Sequence, residues 1–123
     1  MIKIEVFCNS EDKVIGFEVK GHALGQGRVD EYGLVCCGVS ILTITTVNGI
    51  TDYLKVMPKE LQVDNGWLRF VLDVDSGGIP VVEDRAKTEQ IDALLGSMVL
   101  GLQSLAKDYN KHIQLKKRRW TSC

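Results

Sequence analysis

The chain has 123 residues, 45% of them hydrophobic and only two of them proline, a composition that predicts one packed domain and excludes a disordered segment. Fifteen basic and sixteen acidic side chains give a net charge of −1, which excludes a global electrostatic attraction to nucleic acids or anionic membranes. Four cysteines without metal-type spacing predict free thiols, with no metal or other cofactor.

No membrane or export segment is expected. No apolar run approaches the roughly 20 residues that span a bilayer, and residues 1–5 alternate in polarity, unlike a signal peptide. We therefore expect a cytoplasmic protein without a membrane partner.

The first third of the chain predicts a β-hairpin followed by a loop. Residues 2–6 alternate between apolar and charged side chains, and residues 14–20 repeat this period of two after the turn-rich segment 9–12. Beyond Gly21-His22, three glycines within residues 23–33 break both helical and strand patterns. This segment is therefore expected to be a mobile loop.

A helix and a second hairpin are predicted next. Residues 34–54 contain no proline and two rows of apolar residues at helical spacing. Their length favours a helix over a strand, although the threonines at positions 43, 45 and 46 weaken that prediction. Residues 60–64 and 67–73 flank Asn65-Gly66, a strong signal for a two-residue hairpin turn.

The last third predicts a second helix and a short strand. Apolar residues recur at helical spacing up to Tyr109, and this helix is predicted to start between residues 84 and 88. Residues 113–116 suit a final short strand. The order ββαββαβ predicts an α+β domain with two long helices packed on an antiparallel or mixed sheet. We assign residues 1–115 to this domain and residues 116–123 to a basic C-terminal tail.

His22 and Cys36 are the candidate base and nucleophile. Cys36 is expected in the first turn of the first helix, where the helix dipole or a neighbouring imidazole favours a thiolate. Backbone N–H groups at the helix start are candidates for an oxyanion hole. Ser40 lies four residues after Cys36, on the same helix face, where its hydroxyl can orient the histidine or a substrate carbonyl.

Each of these residues also has a plain structural interpretation. A lone histidine near a strand end is usually a surface residue, a small cysteine commonly packs in a core, and a helical serine often bonds back to the preceding turn. Cys37 is predicted to belong to the core, about 100° around the helix from Cys36. Cys8 approaches the site only if the hairpin register allows it, and a metal centre of Cys8, His22 and Cys36 has no supporting spacing.

Two stretches carry recognisable motifs: residues 14–23, which end in Gly-His-Ala, and residues 35–40, Val-Cys-Cys-Gly-Val-Ser. Both stretches resemble the ribosomal-processing cysteine protease Prp family. Residues 46–50 and 98–109 support the resemblance, which covers about residues 1–115.

The resemblance implies a homodimeric cysteine endopeptidase that removes a short N-terminal extension from large-subunit ribosomal protein twenty-seven. The matching motif positions make Cys36 the nucleophile and His22 the general base. The same resemblance implies four supporting or substrate-binding residues, Gly21, Ala23, Gly38 and Ser40. From the same resemblance and the glycine content we expect residues 24–33 to close over an extended substrate peptide.

This sequence departs from the family at Gly33, where an acidic residue usually lies three positions before the cysteine. Asp30 and Glu31 are displaced upstream, so a third catalytic residue is left open. The rival interpretation is a noncatalytic dimeric protein associated with the ribosome or RNA through residues 116–119 and Trp120, and direct RNA contact stays open. A redox sensor that uses Cys36 and Cys37 has less support, because adjacent cysteines form a strained disulfide.

Overall fold

The computed structural model describes residues 1–21 and 30–120. Within them the predicted order ββαββαβ is confirmed. A π-helical segment, Gly49–Tyr53, continues the first helix. The seven regular elements are β1 (Ile2–Cys8), β2 (Val14–Lys20), α1 (Glu31–Asn48), β3 (Glu60–Asp64), β4 (Trp67–Val71), α2 (Arg85–Asp108) and β5 (Ile113–Arg119).

The strands form one mixed sheet in the order β3-β4-β2-β1-β5. Three neighbouring pairs are antiparallel, whereas β5 runs parallel to β1. The second hairpin is confirmed, although Gly66 is its only turn residue with a positive φ. The predicted α+β class with two helices on a mixed sheet is therefore correct.

The core lies between the sheet and the helical layer. Ile2, Ile4 and Val6 of β1 are buried on the face that meets the helices, as the period of two requires. The two helices pack antiparallel through small residues. A Cβ at Gly38 would lie 3.3 Å from Leu105, and a Cβ at Gly101 would lie 3.0 Å from Leu42, so a side chain at either position would require the facing leucine to shift.

The other face of the sheet carries a charged network centred on Glu18. Its carboxylate accepts hydrogen bonds from Trp67 Nε1 at 3.0 Å and from Arg69 Nη1 at 3.1 Å, and Lys20 Nζ lies 3.6 Å away. Arg69 also binds Glu60 at 2.9 Å. These bonds link β2, β4 and β3 across the sheet.

Strand β5 is longer than expected. Residues 116–119, which we expected to belong to a tail, pair in register with β1 up to Cys8 and Arg119. Trp120 follows directly and packs on the Phe7 ring, with 5.0 Å between ring centroids. The basic residues are thus part of the sheet.

The expectation that no segment suits a bilayer was wrong on length and composition. The continuous helix Glu31–Tyr53 is long and apolar enough to pass that test, because residues 32–51 carry no charged side chain. In this fold one face of the helix packs into the core, and core helices meet the same criterion.

Candidate active site

Cys36 lies in the second turn of α1. The helix begins at Glu31, three residues earlier than expected, because the Asp30 carboxylate accepts the Gly33 N–H at 2.9 Å and caps the helix. The prediction that Cys36 occupies the first turn was therefore wrong. Because the dipole acts mainly within the first turn, the helix-start argument for a reactive cysteine is weaker at this position.

The cap also uses backbone groups that were candidates for an oxyanion hole. The Gly33 N–H is bound by the Asp30 carboxylate, and the Leu34 N–H donates to the Asp30 carbonyl at 3.0 Å. These two groups are engaged in forming the helix.

Cys36 and Ser40 share the buried side of α1. Cys36 is only 1% exposed and Ser40 only 3%, and their spacing of four residues places them on one helix face. The Ser40 hydroxyl has no hydrogen-bond partner among residues 1–21 and 30–120. Thr43, one turn further, bonds back to Val39 at 2.8 Å. Ser40 thus keeps a buried, unused hydroxyl one turn from the thiol.

Cys37 is exposed, so the prediction that it belongs to the core was wrong. Adjacent helical residues differ by about 100° in direction, and the sheet lies on the side of Cys36. Cys37 instead shares the solvent-facing side of α1 with Leu34 and Ile41.

Gly21 directly follows the last residue of β2 and is held in a tight conformation. Its φ is +89°, and a Cβ at this position would lie 2.5 Å from the Met1 carbonyl oxygen. Its N–H donates to the Gly66 carbonyl at 2.9 Å. Only glycine fits here. His22 and Ala23 follow, and both lie outside the described residues.

Tyr32 connects this strand end to α1. Its hydroxyl donates to the Gly21 carbonyl oxygen at 2.6 Å. Tyr32 precedes Cys36 by four residues, so both side chains project from the same side of the helix. The structure therefore brings the helix that carries Cys36 against the residue that precedes His22.

Sequence reasoning missed the surroundings of Tyr32. Its ring meets the His112 ring edge-on, with centroids 5.6 Å apart, and His112 Nε2 lies 2.7 Å from Glu31 Oε2. An aromatic residue four positions before the cysteine was the available signal, but the contacts of Tyr32 with Gly21, after β2, and with His112, before β5, depend on tertiary structure. Asp30 and Glu31, the two displaced acids, thus serve as a helix cap and as the partner of His112.

Cys8 lies away from this region. Lys3 of β1 pairs with Lys20, next to Gly21, whereas Cys8 pairs with Val14 at the far end of the hairpin. The seven-residue strand places these ends about 20 Å apart. The register therefore keeps Cys8 away from the strand end that leads to His22.

The basic segment 116–119 is partly neutralised within the chain. Arg118 Nε lies 3.4 Å from Glu5, and Arg119 Nη2 lies 3.4 Å from Asp12. Arg119 also donates to the carbonyl of Asn9. Two of its four charges thus have internal partners, which weakens the interpretation as an RNA-binding tail.

Comparison with known proteins identifies relatives along nearly the whole chain. The family model described as cysteine protease Prp matches residues 1–114. The ribosomal processing cysteine protease Prp of Staphylococcus aureus strain Mu50 is 29% identical over 117 residues, which are 94% of this chain and 97% of that protein.

Solved structures show the same fold. An S. aureus Prp in complex with a substrate peptide gives a TM-score of 0.73 at 22% identity, covering 96% of this chain and all of that one. SMU.848 from Streptococcus mutans gives a TM-score of 0.76 at 22% identity, covering 98% of this chain and 96% of that one.

Proposed function

This chain belongs to the cysteine protease Prp family, and on that premise we propose that it removes a short N-terminal extension from large-subunit ribosomal protein twenty-seven in the cytoplasm. Cys36 is the nucleophile and His22 the general base. The ribosomal processing activity named for the S. aureus relative supports this substrate class. The free thiols of Cys8, Cys36 and Cys37 suit a reducing compartment.

The observation that carries the proposal is the contact between Tyr32 and Gly21. Gly21 directly precedes His22 in the chain, and Tyr32 lies one helical turn before Cys36. Their 2.6 Å hydrogen bond limits how far the base and the nucleophile can lie from each other. A base within hydrogen-bond reach of the sulfur is the geometric requirement for this chemistry.

The proposed reaction has two stages. His22 accepts the proton of the Cys36 thiol, and the sulfur attacks the scissile carbonyl carbon to form a tetrahedral intermediate. Collapse of this intermediate breaks the C–N bond, and the imidazolium protonates the leaving amine. His22 then takes a proton from water, which attacks the thioester, releases the carboxylic acid and restores the thiol.

Two structural facts refine this mechanism. Because Cys36 lies in the second turn of α1, ionisation of the thiol depends more on His22 than on the helix dipole. Because Cys36 is almost fully buried, a substrate carbonyl reaches the sulfur only when the covering groups move. The buried Ser40 hydroxyl is available to orient the imidazole or the substrate carbonyl.

We also propose that a bound substrate peptide protects residues 24–29, the part of the expected loop 24–33 that precedes the helix cap. Residues 24–29 lie outside the described residues, whereas residues 30–33 cap and begin α1. Hydrogen exchange of residues 24–29 is expected to slow when a substrate-derived peptide binds. Equal protection with and without the peptide would contradict this role.

We further propose that the protein forms a homodimer through the outer face of its helical layer. Leu34, Ile41 and Leu100 are 64%, 61% and 67% exposed. Residues 32–51 of the first helix and 93–106 of the second contain no charged side chain. Large uncharged apolar surfaces mark association sites, and one such face on each copy suits an isologous dimer.

Cleavage of the extended ribosomal protein tests the function directly. Wild type, Cys36→Ala, His22→Ala and Cys37→Ala are each mixed with the substrate, and the new N-terminus is identified by mass spectrometry. We expect Cys36→Ala and His22→Ala to abolish processing and Cys37→Ala to retain it. Processing that survives Cys36→Ala would overturn the mechanism, and loss in Cys37→Ala alone would move the nucleophile to Cys37.

A further inference from the structure

The hydroxyl of Tyr32 holds the point at which the chain leaves β2. Gly21 is fixed on three sides. Its N–H donates to the Gly66 carbonyl at 2.9 Å, its Cα faces the Met1 carbonyl without room for a side chain, and its carbonyl accepts the Tyr32 hydroxyl at 2.6 Å. Of these contacts, only the last comes from the helix that carries Cys36.

Covalent geometry carries this restraint to the next residue. The carbonyl of Gly21 belongs to the same planar peptide unit as the backbone nitrogen and Cα of His22. An anchor on this oxygen therefore sets the direction in which the chain enters His22. Without it, rotation about the Gly21 ψ angle reorients that peptide unit.

Tyr32 is itself held in place by the strand edge. The His112 ring packs edge-on against the Tyr32 ring, at a centroid distance of 5.6 Å and an interplanar angle of 66°. His112 is fixed in turn by Glu31, 2.7 Å from its Nε2, and by its carbonyl, which accepts the Ile2 N–H at 2.7 Å. The tyrosine ring is therefore braced against the start of β1 and β5.

We propose that Tyr32 is a positioning residue of the active site, whose hydroxyl aligns the His22 backbone with the helix that presents Cys36. Tyr32 acts through Gly21 and has no part in the bond-making steps. The inference rests on the Cys36/His22 dyad of the proposed function. It extends that function by naming a group that controls alignment of the base with the nucleophile.

The substitution Tyr32→Phe tests this role, because it removes the hydroxyl and keeps the ring that packs against His112. Cleavage of a peptide spanning the processing site is measured for wild type, Tyr32→Phe and the control Tyr53→Phe, whose side chain is exposed on the π-helical segment. We expect kcat of Tyr32→Phe to fall roughly three- to tenfold, the range for one lost hydrogen bond. KM should stay near wild type, the thermal midpoint should fall by a few degrees at most, as for the loss of one exposed hydrogen bond, and Tyr53→Phe should match wild type throughout.

A second readout follows the thiol without a substrate. In a Cys37→Ser background, the rate at which iodoacetamide modifies Cys36 is measured at neutral pH by peptide mass mapping. Tyr32→Phe should slow this reaction by a factor similar to its effect on kcat, because a misaligned base removes the thiol proton less effectively. A purely structural role would change the thermal midpoint and leave the thiol reactivity of the folded protein unchanged.

The outcomes separate the inference from the function on which it rests. The positioning role alone would be overturned if Tyr32→Phe has normal kcat and normal Cys36 reactivity while Cys36→Ala and His22→Ala are inactive. An effect confined to KM or to the thermal midpoint would also overturn it. Full activity in Cys36→Ala or His22→Ala would overturn the dyad and the positioning role together.

Discussion

Cys36 and Cys37 are neighbours in the chain but lie on different faces of α1, Cys36 buried against the sheet and Cys37 exposed to solvent. The face of Cys36 also holds the hydroxyl of Ser40, which has no hydrogen-bond partner within the described part of the chain. The face of Cys37 belongs to the uncharged outer surface of the helical layer. The orientation of α1 thus gives the two thiols different environments.

Reaction of the thiols with iodoacetamide should separate Cys37 from Cys8. Burial raises the pKa of Cys8, and the charges of Lys117 and Arg119 only partly oppose this effect. We expect Cys37 to react at the rate of an ordinary exposed thiol and Cys8 at least about tenfold more slowly, because only the accessible thiolate reacts. A time course with peptide mapping checks this, with the unfolded protein as the control. Equal rates in the folded protein would contradict the described packing of β1.

Replacement of Ser40 by alanine should slow cleavage without lowering stability. A buried hydroxyl without a partner costs about 1–3 kcal/mol, so Ser40→Ala should leave the free energy of unfolding unchanged or raise it by about 1 kcal/mol. Cleavage should slow if the hydroxyl orients the imidazole or the substrate. Denaturant unfolding and kcat give the two values.

Thr43→Val provides the matched control for Ser40→Ala. Its hydroxyl is also buried in α1 but donates to the Val39 carbonyl at 2.8 Å, so its loss should destabilise the fold by about 0.5–1.5 kcal/mol without a specific effect on cleavage. A clear loss of stability in Ser40→Ala would show that its hydroxyl has a structural partner.

Glu18 should make the fold sensitive to acid. Burial raises the pKa of this carboxyl, but hydrogen bonds from Trp67 and Arg69 and the positive charges of Lys20 and Arg69 outweigh that effect, so its pKa lies below the ordinary value. A lowered folded-state pKa gives stability that is present above the unfolded pKa, near about 4.3, and is lost as pH falls through the folded pKa. Glu18→Gln should therefore cost about 1–3 kcal/mol at neutral pH.

The difference between wild type and Glu18→Gln should shrink as pH falls below the unfolded-state pKa and through the lowered folded-state pKa of Glu18, because the wild-type carboxylate is then protonated. Urea unfolding at several pH values measures it. Glu83→Gln, at an exposed glutamate, should follow the wild-type curve. A Glu18→Gln deficit that is the same at every pH would contradict this account.

Self-association should depend on the outer face of α1. Ile41→Lys places a charge at the centre of the uncharged surface and should convert the expected dimer to monomer in sedimentation velocity experiments, because an unpaired charge at an apolar interface is costly. Val81→Lys, at an exposed apolar residue of the loop before α2, should remain dimeric. A monomeric wild type, or a dimeric Ile41→Lys, would contradict the proposed interface.

Local patterns in the sequence were sufficient for the element order and the fold class. Three local signals depend only on backbone conformation over a few residues: the alternation of residues 2–6 and 14–20, the Asn65-Gly66 turn and the helical spacing up to Tyr109. These signals can therefore be interpreted without knowledge of distant contacts. The stretches around His22 and Cys36, together with residues 46–50 and 98–109, were sufficient for the family. Helix and strand ends were less predictable, because the cap at Asp30 and the pairing of β5 with β1 set them.

The sequence by itself determined an α+β domain of ββαββαβ order and placed a cysteine of the Prp motif on the first helix. Only the tertiary structure decided which side of that helix is buried. The helix is apolar on both sides, so its periodicity could not distinguish the environments of Cys36 and Cys37. The contact of Tyr32 with Gly21 depends on helix capping, and the position of Cys8 at the far end of the hairpin depends on strand register. Both bring together residues that local sequence patterns do not relate.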